Sequence, residues 1–358
     1  MMKMEASDIY LTVGRQPAYR INGHIKLAGK IDLTNEDTIA LACGILNEEQ
    51  LKEFAVKKEM NIGLHFDGLG RFRANVFYQR NCVGIVIRHI KTQIPTVEEL
   101  GLPLTFKDII MRKQGLILVV GATGSGKSTS IASMIDYRNA NKSGHIITIE
   151  DPIEFMYDHK KAVVTQREIG IDTDSYHEAL RSALRQAPDV VLIGEIRDSK
   201  VMESVLTFSE TGHLVLATLH ASNAQQAIER VLNFFPSDRH RQIYMQLSLV
   251  LQAIIGQRLV PKEDGGRLAA VEIMLNEPII VELLQTGDIA GIRDAMENIK
   301  SLGIQTFDEH LFHLYSEKLI SKTTALKFAD SENDLRLRIM LAEDGKTEQK
   351  IRLAFKSV

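Results

Sequence analysis

The chemistry of this chain starts at a run of small and hydroxylated residues, Gly121, Ala122, Thr123, Gly124, Ser125 and Gly126, followed by Lys127, Ser128 and Thr129. The order satisfies G-x-x-x-x-G-K-[ST], the loop that wraps phosphates. Its glycines permit tight turns that aim successive backbone N–H groups inward, and a following helix adds its positive dipole end. Lys127 is expected to reach the β- and γ-phosphates, Ser128 to offer a hydroxyl to Mg²⁺, and Thr129 to lie toward the α-phosphate. The motif carries meaning only between a strand and a helix. An apolar run over 116–120 and a helical pattern from Ser130 onward supply both. The implied ligand is a nucleoside triphosphate.

Three more apolar runs, 145–150, 189–194 and 213–219, read as strands, and the first two end in acids. Glu150, Asp151 and Glu154 close one; Glu195 and Asp198 close the next. An acid at the carboxyl end of a neighbouring strand can hold Mg²⁺, while a second orients and deprotonates the attacking water. Because the strand over 189–194 runs into Glu195 rather than Asp, its metal contact is expected to pass through water. The alternative is that these carboxylates cap helices or pair with Arg167, Arg185 or Arg197. For Glu150 and Asp151 the two readings balance. His213 and His220 flank the strand over 213–219, and their odd separation puts them on opposite faces, which argues against a shared metal ion. Each is either a γ-phosphate contact or a structural histidine. Fast hydrolysis also needs a cation against the charge growing on the γ-phosphoryl group. Arg73, Arg80 and Arg88 are candidates if subunits form a ring, although residue types alone favour a solvated strand face for all three.

These side chains need two kinds of scaffold. The N-terminal part shows strands over 7–14, 17–23, 70–80 and 83–88, with helices over 35–41 and 47–56. Phe72, Ala74, Val76 and Tyr78 alternate with Arg71, Arg73 and Asn75, which predicts antiparallel strands with one apolar face on a small α+β core. A Pro-bounded stretch reads as a linker. The expected domains are therefore 1–94, a linker over 95–105, and 106–358. In the last, apolar strands separated by helices over 176–186 and 199–209 predict an α/β domain with a largely parallel sheet covered on both faces. Beyond Ser222 the pattern is mainly helical, over 224–234, 239–255, 280–285, 289–299 and 307–317, with a small hairpin at 257–260 and 267–274. The tail alternates over 335–339 and 350–355 around Asp344-Gly345 and reads as a hairpin.

Composition narrows the classes of function. Over 358 residues, 44% are hydrophobic, 25% are charged and the net charge is −3, so nothing pulls the whole chain toward nucleic acid or acidic lipid. With no Trp and 6% aromatic residues, a base-stacking stripe for single-stranded DNA is not expected. Cys43 and Cys82 lack metal or redox spacing and read as small buried residues in a reducing compartment. No signal sequence opens the chain, and the apolar run over 247–255 is too short for a membrane span. Membrane association would go through a partner.

Taken together, Gly-Ala-Thr-Gly-Ser-Gly-Lys-Ser-Thr (121–129), Ile-Glu-Asp-Pro-Ile-Glu-Phe (149–155), Gly-Glu-Ile-Arg-Asp (194–198) and Thr-Gly-His-Leu-Val-Leu-Ala-Thr-Leu-His (211–220) resemble the secretion-type ATPases. Their order and spacing are similar to the PilT/PilU group of type IV pilus retraction ATPases. The resemblance implies a PAS-like N-terminal domain and a RecA-like ATPase domain with C-terminal helices, assembled as a homo-hexamer that uses ATP and Mg²⁺. It implies that Glu154 is the catalytic glutamate, that Glu195 is the Walker B glutamate and that His213 and His220 form the histidine box. It also implies that Arg73, Arg80 or Arg88 approaches nucleotide. The stretch from Pro278 to Gln285 departs from PilT-like chains, and the tail from Ala329 resembles the PilU branch, whose members are accessory motors depending on a PilT-like retraction ATPase. The implied setting is cytoplasmic, peripheral at the inner membrane through a pilus platform protein, with no nucleic acid and no direct membrane insertion. The alternatives are a PilT-like primary motor, a RecA-like DNA-handling ATPase, and a nucleotide-binding module that mainly supports a partner ring.

Overall fold

The P-loop strand lies near the middle of the larger of two sheets. The computed structural model describes residues 1–4, 6–21, 23–90, 92–299 and 303–343. The chain divides into two compact units. One holds Met1–Ile94 together with two later stretches, Pro152–Tyr157 and Arg167–Ser175; the other holds Pro95–Asp151, Asp158–Gln166 and the chain from Tyr176 onward.

The first unit contains β1 (Asp8–Leu11), β2 (Ala18–Ile21), β3 (His24–Leu27), α1 (Asn35–Ile45), α2 (Glu48–Lys57), β4 (Glu59–Phe66), β5 (Gly70–Gln79) and β6 (Cys82–His89). The strands form one antiparallel sheet in the order β3-β2-β1-β6-β5-β4. Both helices open with a capping box, Thr34 with Asp37 and Asn47 with Gln50, which satisfies backbone donors that the first turn leaves free. The alternation expected in β5 is present: Ala74 and Val76 join Phe54 of α2 and Val83 and Ile85 of β6 in the core. Tyr78 is more exposed, and its ring stacks on Phe54 at 5.0 Å. Strands β5 and β6 meet at a two-residue turn in which Arg80 (φ 49°) and Asn81 (φ 63°) are both left-handed, as a type I′ hairpin requires. Cys43 is exposed and Cys82 half-buried, not both buried as expected.

The second unit contains α3 (Thr105–Ile110), β7 (Gly115–Val120), α4 (Lys127–Asn141), β8 (Gly144–Glu150), β9 (Ala162–Glu168, whose last two residues belong to the first unit), α5 (Tyr176–Ala183), β10 (Val190–Ile193), α6 (Ser199–Glu210) and β11 (Leu214–Leu219). There follow α7 (Ala224–Leu232), α8 (His240–Val250), β12 (Leu251–Pro261), β13 (Arg267–Leu275), α9 (Pro278–Thr286), α10 (Gly291–Asn298), α11 (Phe307–Ser316) and α12 (Lys322–Phe328). The sheet order is β13-β12-β7-β11-β10-β8-β9, parallel from β12 to β8, with β13 antiparallel to β12.

Three expectations are corrected. The helix over 239–255 stops at Val250; Leu251 turns extended (ψ 133°) and begins β12, which pairs in parallel with β7. The supposed small hairpin is thus a long one that extends the main sheet. Residues 335–339 lie in a helix over 332–343, where Leu335 and Ile339 are buried one turn apart while Leu337 is exposed. The period-two pattern there was the accident of an i, i+4 pair with an outward leucine between. Its expected partner over 350–355 lies outside the described residues. Within the stretch over 95–105, Val97 and Leu102 are buried, and Thr105 already opens α3.

Candidate active site

β7 is buried along its length between β11 and β12, so its carboxyl end delivers the loop between two supporting strands. Positive φ and crowding by Gln257 fix glycine at both ends of that loop. A Cβ at Gly121 would stand 2.4 Å from the carbonyl oxygen of Gln257, and one at Gly126 would stand 2.8 Å from its Nε2. Gly126 caps α4 without a side-chain hydrogen bond, so the first N–H groups of this 15-residue helix remain available to an anion. The Lys127 ammonium lies back across the loop, donating to the carbonyls of Gly121 (2.7 Å) and Ala122 (2.9 Å).

Gln257, which the sequence reading missed, braces this loop. It sits on β12 next to the Gly256–Val120 pairing, is 2% exposed, and donates from Nε2 to the Ser125 carbonyl at 3.0 Å. Its Oε1 and the Ser125 hydroxyl are buried without a hydrogen-bond partner among the described residues. No sequence signal singles it out: β12 carries a second glutamine, Gln252, and Arg258 stands beside it. A cavity of about 350 Å³ adjoins the loop and is walled by Leu259, Phe328, Arg258 and Arg267. Arg258 is fixed there by the Phe328 carbonyl at 2.7 Å and by stacking over Phe307 at 3.8 Å. An apolar wall with an immobilised cation beside a phosphate loop suits a nucleoside.

The acids gather at the carboxyl ends of the neighbouring strands. Glu195, just past β10, accepts from Arg197 Nε at 2.6 Å and meets His220 Nε2 at 2.9 Å. Arg197 also reaches Asp151 at 3.0 Å, so the chain His220–Glu195–Arg197–Asp151 links the ends of β11, β10 and β8. The two carboxylates hold the Arg197 guanidinium above its ordinary pKa. Glu150 accepts from Thr148 at 2.7 Å. Burial, reinforced by Asp151, keeps the Tyr176 phenol protonated well beyond its usual range. Gly194 is needed here, because a Cβ would meet that phenol oxygen at 2.9 Å.

His213 is at the other end of the sheet. β11 runs parallel to β7 with Leu214 opposite Gly115 and Leu219 opposite Val120, so His220 follows the end beside the P-loop and His213 precedes the start. Six residues of strand put about 20 Å between those ends. His213 packs on Phe208 and bonds locally to Thr211 and the Phe208 carbonyl. Of the two histidines, His220 is at the end of the strand beside the P-loop of its own chain and His213 is at the far end.

In the N-terminal unit, pairing explains two arginines. Arg73 of β5 is directly opposite Arg88 of β6, Arg88 opposite Asp8 of β1, and Asp8 opposite Arg20 of β2. Directly paired residues share a face, so these four form one row of charges across the sheet. Two adjacent guanidiniums would repel; each has its own acid. Arg88 bonds the buried Asp8 at 2.7 Å, which raises its pKa, and Glu154 adds to the same effect. Arg73 pairs with Glu168 at 3.5 Å. Arg80 projects from the type I′ turn, exposed and with no ion pair among the described residues. Glu154 is exposed between buried Ile153 and Phe155, in a stretch that belongs to this unit.

Comparison with known proteins decides the family. The model of the family described as Type II/IV secretion system protein matches residues 1–279. This chain belongs to that family. Among its relatives, the type IV pilus ATPase PilU of Pseudomonas aeruginosa is 49% identical over 345 residues, 96% of this chain and 90% of the relative. The type IV pilus retraction ATPase PilT of the same species is 42% identical over 323 residues, 90% and 94% of the two chains. A crystal structure of the pilus retraction motor PilT with bound ADP superposes with a TM-score of 0.87 at 43% identity, covering 94% of this chain and 96% of that one. The chain is therefore a P-loop ATPase of the PilT/PilU group, with an N-terminal α/β unit ahead of a RecA-like core. Among the described residues no helix is long and apolar enough to cross a membrane.

Proposed function

We propose that this protein is the ATP-hydrolysing motor of a type IV pilus retraction machine, in the accessory, PilU-like position beside a PilT-like retraction ATPase. The observation that carries the reading is a braced P-loop beside an intact His220–Glu195–Arg197 cluster, in a chain 49% identical to PilU along nearly its full length. The motor is a cytoplasmic homo-hexamer, held at the inner membrane by a pilus platform protein and acting without nucleic acid.

The donor set fits a magnesium nucleotide: uncapped helix N–H groups, a loop lysine, a hydroxyl at Ser128 and a strand-end carboxylate at Glu195. Ser128 and, through water, Glu195 would hold Mg²⁺, which supplies neutralising charge to the phosphates. Gly121, Ala122, Thr123, Gly124, Ser125, Gly126 and Thr129 cradle the phosphates with Lys127. Glu154 takes the proton of the attacking water; the oxygen bonds to the γ-phosphorus and the bond to the β-phosphate oxygen breaks, releasing ADP. His220 reports the γ-phosphate to Glu195. Arg88 and Arg80 act on the nucleotide of a neighbouring subunit. The exposed position of Arg80 at the tip of the β5–β6 turn supports it as a group able to reach beyond its own subunit. The N-terminal domain, 1–94, is PAS-like, a reading supported by one antiparallel sheet with two capped helices. It carries the stretches 152–157 and 167–175 with it, turns against the remainder of 106–358 about the stretch 95–105, and the ring transmits that motion to the platform protein.

The test is steady-state turnover of the full-length protein, at defined subunit concentration, with and without a PilT-like ATPase. The accessory reading predicts weak turnover alone that rises with the partner. Full turnover that ignores the partner favours a primary motor.

A further inference from the structure

The candidate base, Glu154, sits on an extended stretch whose alternate residues, Ile153, Phe155 and Tyr157, are buried. Its direction is thus set by whatever fixes the backbone at Ile153. That anchor is a carboxylate from another part of the chain. Glu168, 4% exposed at the end of β9, accepts the Ile153 N–H on Oε2 at 3.1 Å. Its other oxygen has no hydrogen bond among the described residues and faces Arg73 Nη1 at 3.5 Å. The carboxylate is itself held in place. The Glu168 N–H donates to Asp172 at 2.8 Å, and the Asp172 N–H returns to the Glu168 carbonyl at 2.8 Å, closing a tight turn. All of these residues lie in the N-terminal unit.

Burial of an acid is costly unless its oxygens are used. Here burial pushes the Glu168 carboxyl up, and the Ile153 N–H and Arg73 pull it back down. Arg73 thus faces one carboxylate oxygen while the other grips one peptide N–H, a single residue from Glu154. We infer that Glu168 is a positioning residue for ATP hydrolysis, holding the Glu154 loop through the Ile153 N–H, with Arg73 as its counter-ion. Arg73 then serves inside its own subunit instead of reaching a neighbour's nucleotide. The inference rests on the reading of Glu154 as the base.

Two conservative variants separate reach from charge. Glu168→Gln keeps an oxygen at the Ile153 N–H and loses the charge. Glu168→Asp keeps the charge facing Arg73 but withdraws the carboxylate by about 1.5 Å. Turnover, affinity for a fluorescent ATP analogue and thermal melting would be measured on the full chain, beside Glu154→Gln and the Glu168→Asp/Glu154→Gln double variant. Misplacing a base by such a distance costs about 10²-fold. The expected result is that Glu168→Asp lowers kcat by about that factor with analogue affinity kept, while Glu168→Gln stays well above it. The double variant should be no slower than Glu154→Gln alone. The reverse order of the two Glu168 variants would overturn the inference, as would a Glu168→Asp loss that multiplies the Glu154→Gln loss. If Glu154→Gln itself turns over like wild type, the reading of Glu154 fails and this inference falls with it. Wild-type turnover by Glu168→Asp beside an inactive Glu154→Gln would remove the inference alone.

Discussion

Replacing Gln257 with leucine tests how the P-loop is held. The native side chain makes one hydrogen bond, to the Ser125 carbonyl at 3.0 Å, and leaves one oxygen buried and unpartnered. Leucine deletes both at similar volume. The lost bond is worth about 0.5–1.5 kcal/mol net, and leaving the Ser125 carbonyl unpaired costs about 1–3 kcal/mol. Removing the orphaned Gln257 oxygen returns a similar 1–3 kcal/mol, so the global change should stay within about 1.5 kcal/mol. For a unit of this size that is a melting shift of only about 3–6 °C. Nucleotide binding should respond more clearly, because the Gln257 amide bonds the Ser125 carbonyl and lies against Gly126, inside the loop that must present its N–H groups. A loosening penalty of about 1.4 kcal/mol is tenfold in affinity. Fluorescent nucleotide titration beside a thermal melt would read both. Unchanged affinity would refute the brace, and a collapse in melting temperature would show that Gln257 serves the fold first.

Three further outcomes follow from the same geometry. Lys127→Ala should abolish turnover, read by phosphate release, because that ammonium is the loop's own cation. His220→Ala should lower turnover by about 10²-fold, the scale of a lost acid–base or positioning contact, whereas His213→Ala, some strand length away, should mainly shift the melt. The third concerns two buried groups near β13. Burial raises Glu272 from 4.5 to about 7, and it lowers His310 from 6.5 to about 4. A raised carboxyl makes the native state bind protons before the unfolded chain, so its contribution is favourable at low pH and is lost as pH rises from 4.5 through 7. A depressed histidine does the reverse, losing its contribution as pH falls from 6.5 through 4. Each amounts to about 3 kcal/mol, and between pH 4.5 and 6.5 they oppose each other. Glu272→Gln keeps an acceptor for the Ala224 N–H, so it should stabilise the protein at pH 8 and expose a steep acid loss below pH 6.5 in denaturant midpoints. A variant with the wild-type pH profile would contradict this.

How far the sequence carried the account depended on the kind of signal. β7, β8, β10 and β11 were legible because strands buried on both faces read as unbroken apolar runs, and the P-loop fixed their order of importance. The same rule misled over 247–255, where one apolar run contains the end of α8 and the start of β12; continuous hydrophobicity cannot separate helix from strand. β3 was passed over although His24-Ile25-Lys26-Leu27 alternates, because four residues make too short a run and all four are exposed at the sheet edge. In the site, Glu195 and His220 were found because a strand end leads straight into each. Gln257 has no motif, and its role exists only because β12 pairs with β7. The partners of Arg73 and Arg88 were hidden for a related reason. Asp8 is 80 residues from Arg88, and only cross-strand register puts them together.

We propose that this chain turns over ATP with Glu154 as base and an N-terminal arginine completing the site. The most direct measurement is steady-state ATPase activity of the purified full-length protein, assayed with its PilT-like partner, beside Glu154→Gln and Arg88→Ala. The account predicts measurable wild-type turnover, reduced by at least about 10²-fold in Glu154→Gln and strongly in Arg88→Ala, with nucleotide still bound. Wild-type turnover in Glu154→Gln would contradict it.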